Sequence, residues 1–321
     1  MRVNKSQIMH RPSIISGRSR FGPGGSASFC AAFARRCVRW LAGAIFILAL
    51  VSARAQIQQA WLARYNNGIV NGANQAVKMA LDSAGNIYVT GFSQNTNSQL
   101  GYVTIKYAPN GNQVWATRYD ATNFPNATPT AMVLDSNNDV FLTGSVLTIK
   151  YDANGNQLWT APYAGLAMAG DSFGDTYVTG FNTNFNTVKL APTGSNLWIS
   201  TYRDVGPTIG QGIVIDSNGS VFVSGSDTYY YTYPPGFTNP SVALLTIKYD
   251  SNGNQVWAAQ YQNSDVPGVQ LGGLALDAAD NLYLAANFQD TIPYLTLSIL
   301  RTEAMYGHNF QPATSTAAHM D

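Results

Sequence analysis

Beyond its first 55 residues the sequence has no cysteine, one glutamate (Glu303) and two histidines (His308 and His319). Cys30 and Cys37 both fall in the leading segment, so neither disulfides nor thiolate metal sites are available to the rest of the chain. Nucleophilic catalysis by serine lacks a base outside residues 302–321, where both histidines stand. Positive charge is scarce as well: nine Lys and Arg face all 17 acidic residues after position 55. That balance argues against nucleic acid or an anionic membrane surface as partner, because both need clustered cations. No sustained helical period occurs after residue 55, so the expected fold is all-β.

The first 55 residues are of another kind, with nine basic residues and no acidic one. Arg35, Arg36 and Arg39 precede an apolar run from Leu41 to Val51, and Ser52-Ala53-Arg54-Ala55 puts small residues before a cut ahead of Gln56. This is the pattern of a secretory signal peptide. The run is shorter than the roughly 20 residues of a spanning helix, and no cysteine comes after it to carry a lipid. The sequence therefore predicts a secreted protein, periplasmic or extracellular, with no membrane span in the mature chain. The expected divisions are a signal peptide (1–55), one β domain (56–301) and an irregular tail (302–321).

Internal repeats organise the domain. After the leader, tryptophans stand at 61, 115, 159, 198 and 257, each followed four residues later by a tyrosine: Tyr65, Tyr119, Tyr163, Tyr202 and Tyr261. Each repeat holds four strand-like pieces. In the fourth repeat these are Gly212 to Asp216, Ser220 to Gly225, Leu245 to Tyr249 and the stretch around Trp257. Two short connections recur with little change, one of the type Asp82-Ser83-Ala84-Gly85-Asn86 and one of the type Asp152-Ala153-Asn154-Gly155-Asn156. Both read as hairpin turns, opened by an Asp or Asn side chain and closed by a residue with positive φ. The other two connections vary in length and lie together at the opposite end of a meander, which marks that end as the candidate binding face. The chain starts with a lone fourth-type piece at 59–65 and ends with a repeat that lacks one, its third piece being 297–301. The expected architecture is thus a β-propeller of four-stranded blades, five in number, closed by the Trp61 strand completing the last blade.

The pieces running from Asp82 to Gly91 and from Thr148 to Trp159 resemble the secreted bacterial β-propeller repeat (SBBP repeat) family, over residues 59–301. That resemblance implies a secreted propeller with no established catalytic residues. The Asp152 to Trp159 piece is more distantly similar to quinoprotein propeller repeats. Those typically have eight blades and acidic residues that hold calcium beside a quinone, whereas here five repeats can be counted, so no cofactor is expected.

Glycoside cleavage needs two facing carboxylates. Most aspartates sit in turns. The remaining ones, Asp120, Asp204, Asp227, Asp265 and Asp290, carry no spacing that pairs them. The Asp152 and Asp250 turns offer oxygen ligands at alternate positions but no Glu at position 12 of a calcium loop, so no metal is expected. The fourth repeat carries an aromatic insertion, read as a loop, with Tyr229, Tyr230, Tyr231, Tyr233 and Phe237. Exposed tyrosines give large contact area with a polar tip, so these five are the candidate ligand-binding residues. The functional expectation is a non-catalytic binding scaffold for an extracellular glycan or protein. The alternative is a propeller enzyme, either acting on extracellular polysaccharide or a quinoprotein-like oxidoreductase.

Overall fold

Short antiparallel meanders succeed one another along the computed structural model, which describes residues 59–299 apart from 122, 181–183, 204–205, 234–236, 262–268 and 289–294. Of 229–233, 237–241, 288 and 295–299 only the backbone is described. The leader and the tail lie outside the described residues.

The first sheet is β1 (Asn74–Leu81), β2 (Ile87–Gln94), β3 (Leu100–Tyr107) and β4 (Gln113–Tyr119). The second is β5 (Pro129–Leu134), β6 (Val140–Gly144), β7 (Thr148–Tyr151) and β8 (Gln157–Ala161). The third is β9 (Ala167–Gly170), β10 (Thr176–Thr179), β11 (Phe185–Leu190) and β12 (Asn196–Tyr202). The fourth is β13 (Thr208–Ile215), β14 (Val221–Tyr233), β15 (Phe237–Tyr249) and β16 (Gln255–Tyr261). The fifth has three strands, β17 (Val269–Leu276), β18 (Leu282–Phe288) and β19 (Leu295–Ile299). The all-β expectation holds, and four of the five sheets are four-stranded meanders of the kind that make propeller blades.

Turn chemistry sets these meanders. Asp82 Oδ1 accepts the backbone N–H groups of Ala84 and Asn86, and the same pair of bonds recurs at Asp135, Asp171, Asp216 and Asp277. The residue that closes each of these turns has positive φ: Gly85, Asn138, Gly174, Gly219 and Asp280. At the β3–β4 type of turn, glycine serves a second purpose. A Cβ on Gly155 would lie 2.8 Å from Cδ2 of Trp115, and Gly111, Gly194 and Gly253 are covered in the same way by Trp61, Trp159 and Trp198.

Those tryptophans join one sheet to the next. Trp115 Nε1 donates to Ala153 O at 3.0 Å, Trp159 to Pro192 O at 2.9 Å and Trp198 to Ser251 O at 3.1 Å, each bond running to the following sheet. Each tryptophan among the described residues shares an apolar cluster with the tyrosine four residues on, as period-two alternation requires. Four clusters fill the seams between successive sheets. One packs Tyr88 against Val140 and Ile149, another Phe222 against Leu282 and Leu284. Each fully buried side chain of this size contributes roughly 1.5–3 kcal/mol. The first strands run side by side, β1 with β5, β5 with β9, β9 with β13 and β13 with β17. All five contribute to one cavity of about 330 Å³, through Lys78, Met132, Met168, Gln211 and Leu271 among others.

Three details depart from expectation. The piece at 59–65 is not a paired strand; it lies on the first sheet, where Trp61 Nε1 donates to Pro109 O at 3.0 Å and Trp61, Ala63 and Tyr65 cover Ile105 and Tyr107. Its pairing with the fifth sheet is absent among the described residues. The third strand of the last sheet is β19, two residues ahead of the expected 297–301. Its register sets Ile299 opposite Tyr283, where Lys248 stands opposite Phe222 in the fourth sheet. The third departure is the insertion in the fourth repeat, which is not a loop. It continues β14 and β15 as a two-stranded ribbon, with pairing through Tyr233↔Phe237. Tyrosine and threonine favour extended, pleated backbone, and unusual length alone made this stretch read as a loop.

Candidate functional site

In an antiparallel meander the β1–β2 and β3–β4 types of turn share one end of the sheets. The β2–β3 type of connection lies at the other, and there the sheets differ most. Ser145-Val146-Leu147 joins β6 to β7, while β14 and β15 run 13 residues each. Their neighbours stop early: β13 pairs no further than Asp227 and β16 no further than Leu244. Beyond Thr228, whose N–H donates to Pro207 O at 3.0 Å, the ribbon from Tyr229 to Tyr233 and from Phe237 to Val242 has no flanking strand in its own sheet among the described residues. The five candidate residues Tyr229, Tyr230, Tyr231, Tyr233 and Phe237 all stand on that ribbon, with Tyr229 opposite Ser241 and Tyr230 opposite Pro240. Their side chains lie outside the described residues.

At the root of the ribbon Asp227 is fully buried and accepts a hydrogen bond from Gln260 Nε2 at 2.6 Å. This carboxylate pegs β14 to β16. Asp120 is held in a two-point ion pair by Arg118, with Nε at 2.9 Å and Nη2 at 2.6 Å. Asp204, Asp265, Asp290, Glu303, His308 and His319 lie outside the described residues.

The calcium-like turns use their oxygens internally. Asp152 Oδ1 accepts the N–H groups of Asn154 and Asn156, and Oδ2 accepts Asn156 Nδ2 at 2.8 Å. These bonds, the Asn156 amide foremost, hold the Asp152 carboxyl below the usual carboxylate range, and Asn254 does the same for Asp250. Among the described residues no cluster of three carboxylate, histidine or cysteine side chains is placed to hold a metal.

Two side-chain devices are invisible to sequence reasoning. The lysine of the third strand lies over the aromatic ring of the second: Lys150 Nζ is 4.5 Å from the Phe141 ring centre, Lys189 5.0 Å from Tyr177 and Lys248 4.6 Å from Phe222. The same lysines pair with turn aspartates, Lys150 with Asp139 at 2.9 Å and Asp135 at 3.5 Å, Lys189 with Asp175 at 2.9 Å, and Lys248 with Asp216 at 3.4 Å. Burial pulls Lys189 down, but Asp175 and Tyr177 outweigh it and the net shift is upward. Beside each of these lysines a buried threonine hydroxyl meets a threonine or serine hydroxyl across the strands, as in Thr143 with Thr148 at 3.0 Å and Ser224 with Thr246 at 3.0 Å. Repetition of Thr-Ile-Lys in the sequence was the signal; its cross-strand partners were what the sequence did not display.

Among the described residues no helix is long and apolar enough to cross a membrane. No protein-family model matches the chain, so the resemblance to the secreted β-propeller repeat family rests on the repeat residues. An uncharacterized WD repeat-containing protein of Acanthamoeba polyphaga mimivirus is 28% identical over 110 residues, 32% of this chain and 8% of that protein. The chain thus spans a small fraction of that curated relative. A protein of unknown function from Bacteroides caccae aligns over 70% of this chain and 73% of its own, at 15% identity and a TM-score of 0.42. A glucose dehydrogenase aligns over 67% and 80%, at 9% identity and a TM-score of 0.43. The architecture accordingly stands on the sheets and seams described above.

Proposed function

We propose that the chain is a secreted five-bladed β-propeller that acts as a non-catalytic binding module, with the β14–β15 ribbon as its contact surface for an extracellular glycan or protein. The observation that carries this reading is the ribbon itself. Among the described residues the two strands continue about five residues beyond their partners in the sheet, and a two-stranded ribbon is marginal in water without something to pack on. Five aromatic residues on that ribbon, Tyr229, Tyr230, Tyr231, Tyr233 and Phe237, provide the contact area.

Support for ring closure comes from the first sheet. Met79 and Leu81 are 67% and 62% exposed, whereas their counterparts Met132 and Leu134, Ile213 and Ile215, and Leu274 and Leu276 pack into seams. Beside them runs a groove of about 470 Å³ lined by Trp61, Ile87, Val89, Val103 and Ile105. Trp61 holds the fourth-strand place against this sheet, and among the described residues the fifth sheet has three strands where the others have four. Docking of the fifth blade against this face, with the 59–65 strand as its outermost member, accounts for all three.

A glycan and protein panel with product analysis tests the reading. Binding without product is the expected result, and Tyr230→Ala with Tyr231→Ala lowers it at least tenfold with the melting temperature unchanged. Released reducing ends would make the protein an enzyme, and unaltered binding in the double variant would remove the ribbon as the site.

A further inference from the structure

One row of side chains differs in the third sheet from all its counterparts. Across each sheet, the first three strands contribute cross-strand neighbours to a row that faces the preceding seam. The rows are Leu81–Ile87–Tyr107, Leu134–Val140–Tyr151 and Ile215–Val221–Tyr249, and Leu276–Leu282 begins the fifth. In the third sheet the row is Gly170–Thr176–Leu190. Three apolar side chains have become smaller or polar at once, and the seam between the second and third sheets is hollow there. A cavity of about 480 Å³ opens at this place, backed by Val133 and Phe141, a volume within the usual range of small-molecule sites.

The cavity is furnished as well as empty. Thr176 is 1% exposed, borders the cavity, and its Oγ1 has no hydrogen-bond partner. A buried hydroxyl left unmatched costs about 1–3 kcal/mol, and valine or isoleucine at the equivalent places in the first, second and fourth sheets avoids that cost. At the rim, the turn from Asp171 to Asp175 carries Phe173, which is 83% exposed; the matching turns have Ala84, Asn137, Asn218 and Ala279 at this position. Across the opening stand Ser136 and Asn137 of the neighbouring turn. The nearby carboxylates Asp135 and Asp175 are already paired with Lys150 and Lys189, so they are poorly placed to take up a free cation. With Asp139 and Asp171 they still outnumber those two lysines, which disfavours an anion.

We infer that this cavity is a binding site for a neutral saccharide. A pyranose ring stacks its C–H face on Phe173 and directs hydroxyls to Ser136 and Asn137, above a floor formed by Gly170 and the buried Thr176. The site lies at the turn end of the sheets, opposite the ribbon, and stands or falls independently of it.

Calorimetric titration of the full chain with D-glucose, D-galactose, D-mannose, N-acetylglucosamine and their short oligomers tests this, with glucuronate as the anionic comparison. The expected result is saturable binding of at least one neutral sugar, and at least tenfold weaker binding of glucuronate. Gly170→Leu with Thr176→Val rebuilds the row of the other sheets; a Cβ on Gly170 meets nothing nearer than 3.8 Å. This filled variant keeps or raises the melting temperature and loses binding at least tenfold, as does the surface variant Phe173→Ala. The inference is overturned if no neutral sugar binds the native chain, or if the filled variant and Phe173→Ala bind as the native chain does.

Discussion

Lysine at the third-strand position does the work of an anchor in this protein. Lys150 is nearly buried, sits over Phe141 and pairs with two aspartates, while Lys248 is more exposed and pairs with one. Removing one partner from a buried charge cluster leaves the others uncompensated, a loss of about 3 kcal/mol; Lys248 keeps contact with water at 23% side-chain exposure, so its charge is better screened, and its loss strands one carboxylate where loss of Lys150 strands two. Lys150→Ala is therefore expected to lower unfolding free energy by about 3 kcal/mol, and Lys248→Ala by clearly less. Urea titration of the two variants decides this, and equal losses would mean that the aromatic stacking, common to both, is what matters. At this scale the sequence is legible in part. The Trp and Tyr pairing came from period-two alternation, whereas Lys150 and Asp135 are far apart along the chain and meet only through the register of β6 and β7.

Turns are the elements that the sequence announces most clearly, because a side chain bonds its own backbone within five residues. Asp82 to Asn86 and Asp277 to Asn281 are local devices, and local devices need no tertiary information. They also set the response to acid. The Asn281 amide, Nδ2 to Asp277 Oδ2 at 2.8 Å, with backbone N–H groups and the Tyr283 hydroxyl, holds Asp277 at about 2 against an ordinary 3.8. A carboxyl depressed in the folded state stabilises it above the unfolded value, and that contribution fades as pH falls through the folded one. Stability is thus expected to fall between about pH 4 and pH 2. Burial pushes Tyr177 and Tyr249 up to about 12, so a second decline is expected as pH rises from about 10 towards 12. Denaturant midpoints across the pH range check both limbs; a flat profile from pH 4 to pH 2 would deny the turn carboxylates their role. The ribbon was the element misread, since its Tyr and Thr residues signal strand while its length between repeats signals a loop, and pairing between distant partners decided the matter. The hollow seam was written in Gly170 and Thr176, but those letters acquire meaning only when set in one cross-strand row with Leu134 and Val140.

Across the whole molecule, repeated tryptophans link each sheet to the next, and stability is expected to depend on neighbours as in other repeat arrays. The face of the first sheet beside Trp61 is where the proposed closed ring is most exposed to test. Met79, Leu81 and the groove beside Trp61 are apolar surface that a closed ring would cover. The most direct measurement is denaturant unfolding of residues 56–321 beside a chain that begins at Asn66 and so lacks Trp61. A closed ring gives one cooperative transition for the longer chain, and a loss of cooperativity or of several kcal/mol for the shorter, because the strand that joins the last sheet to the first is gone. Matching transitions in the two chains would contradict closure by this strand, and with it the five-bladed ring.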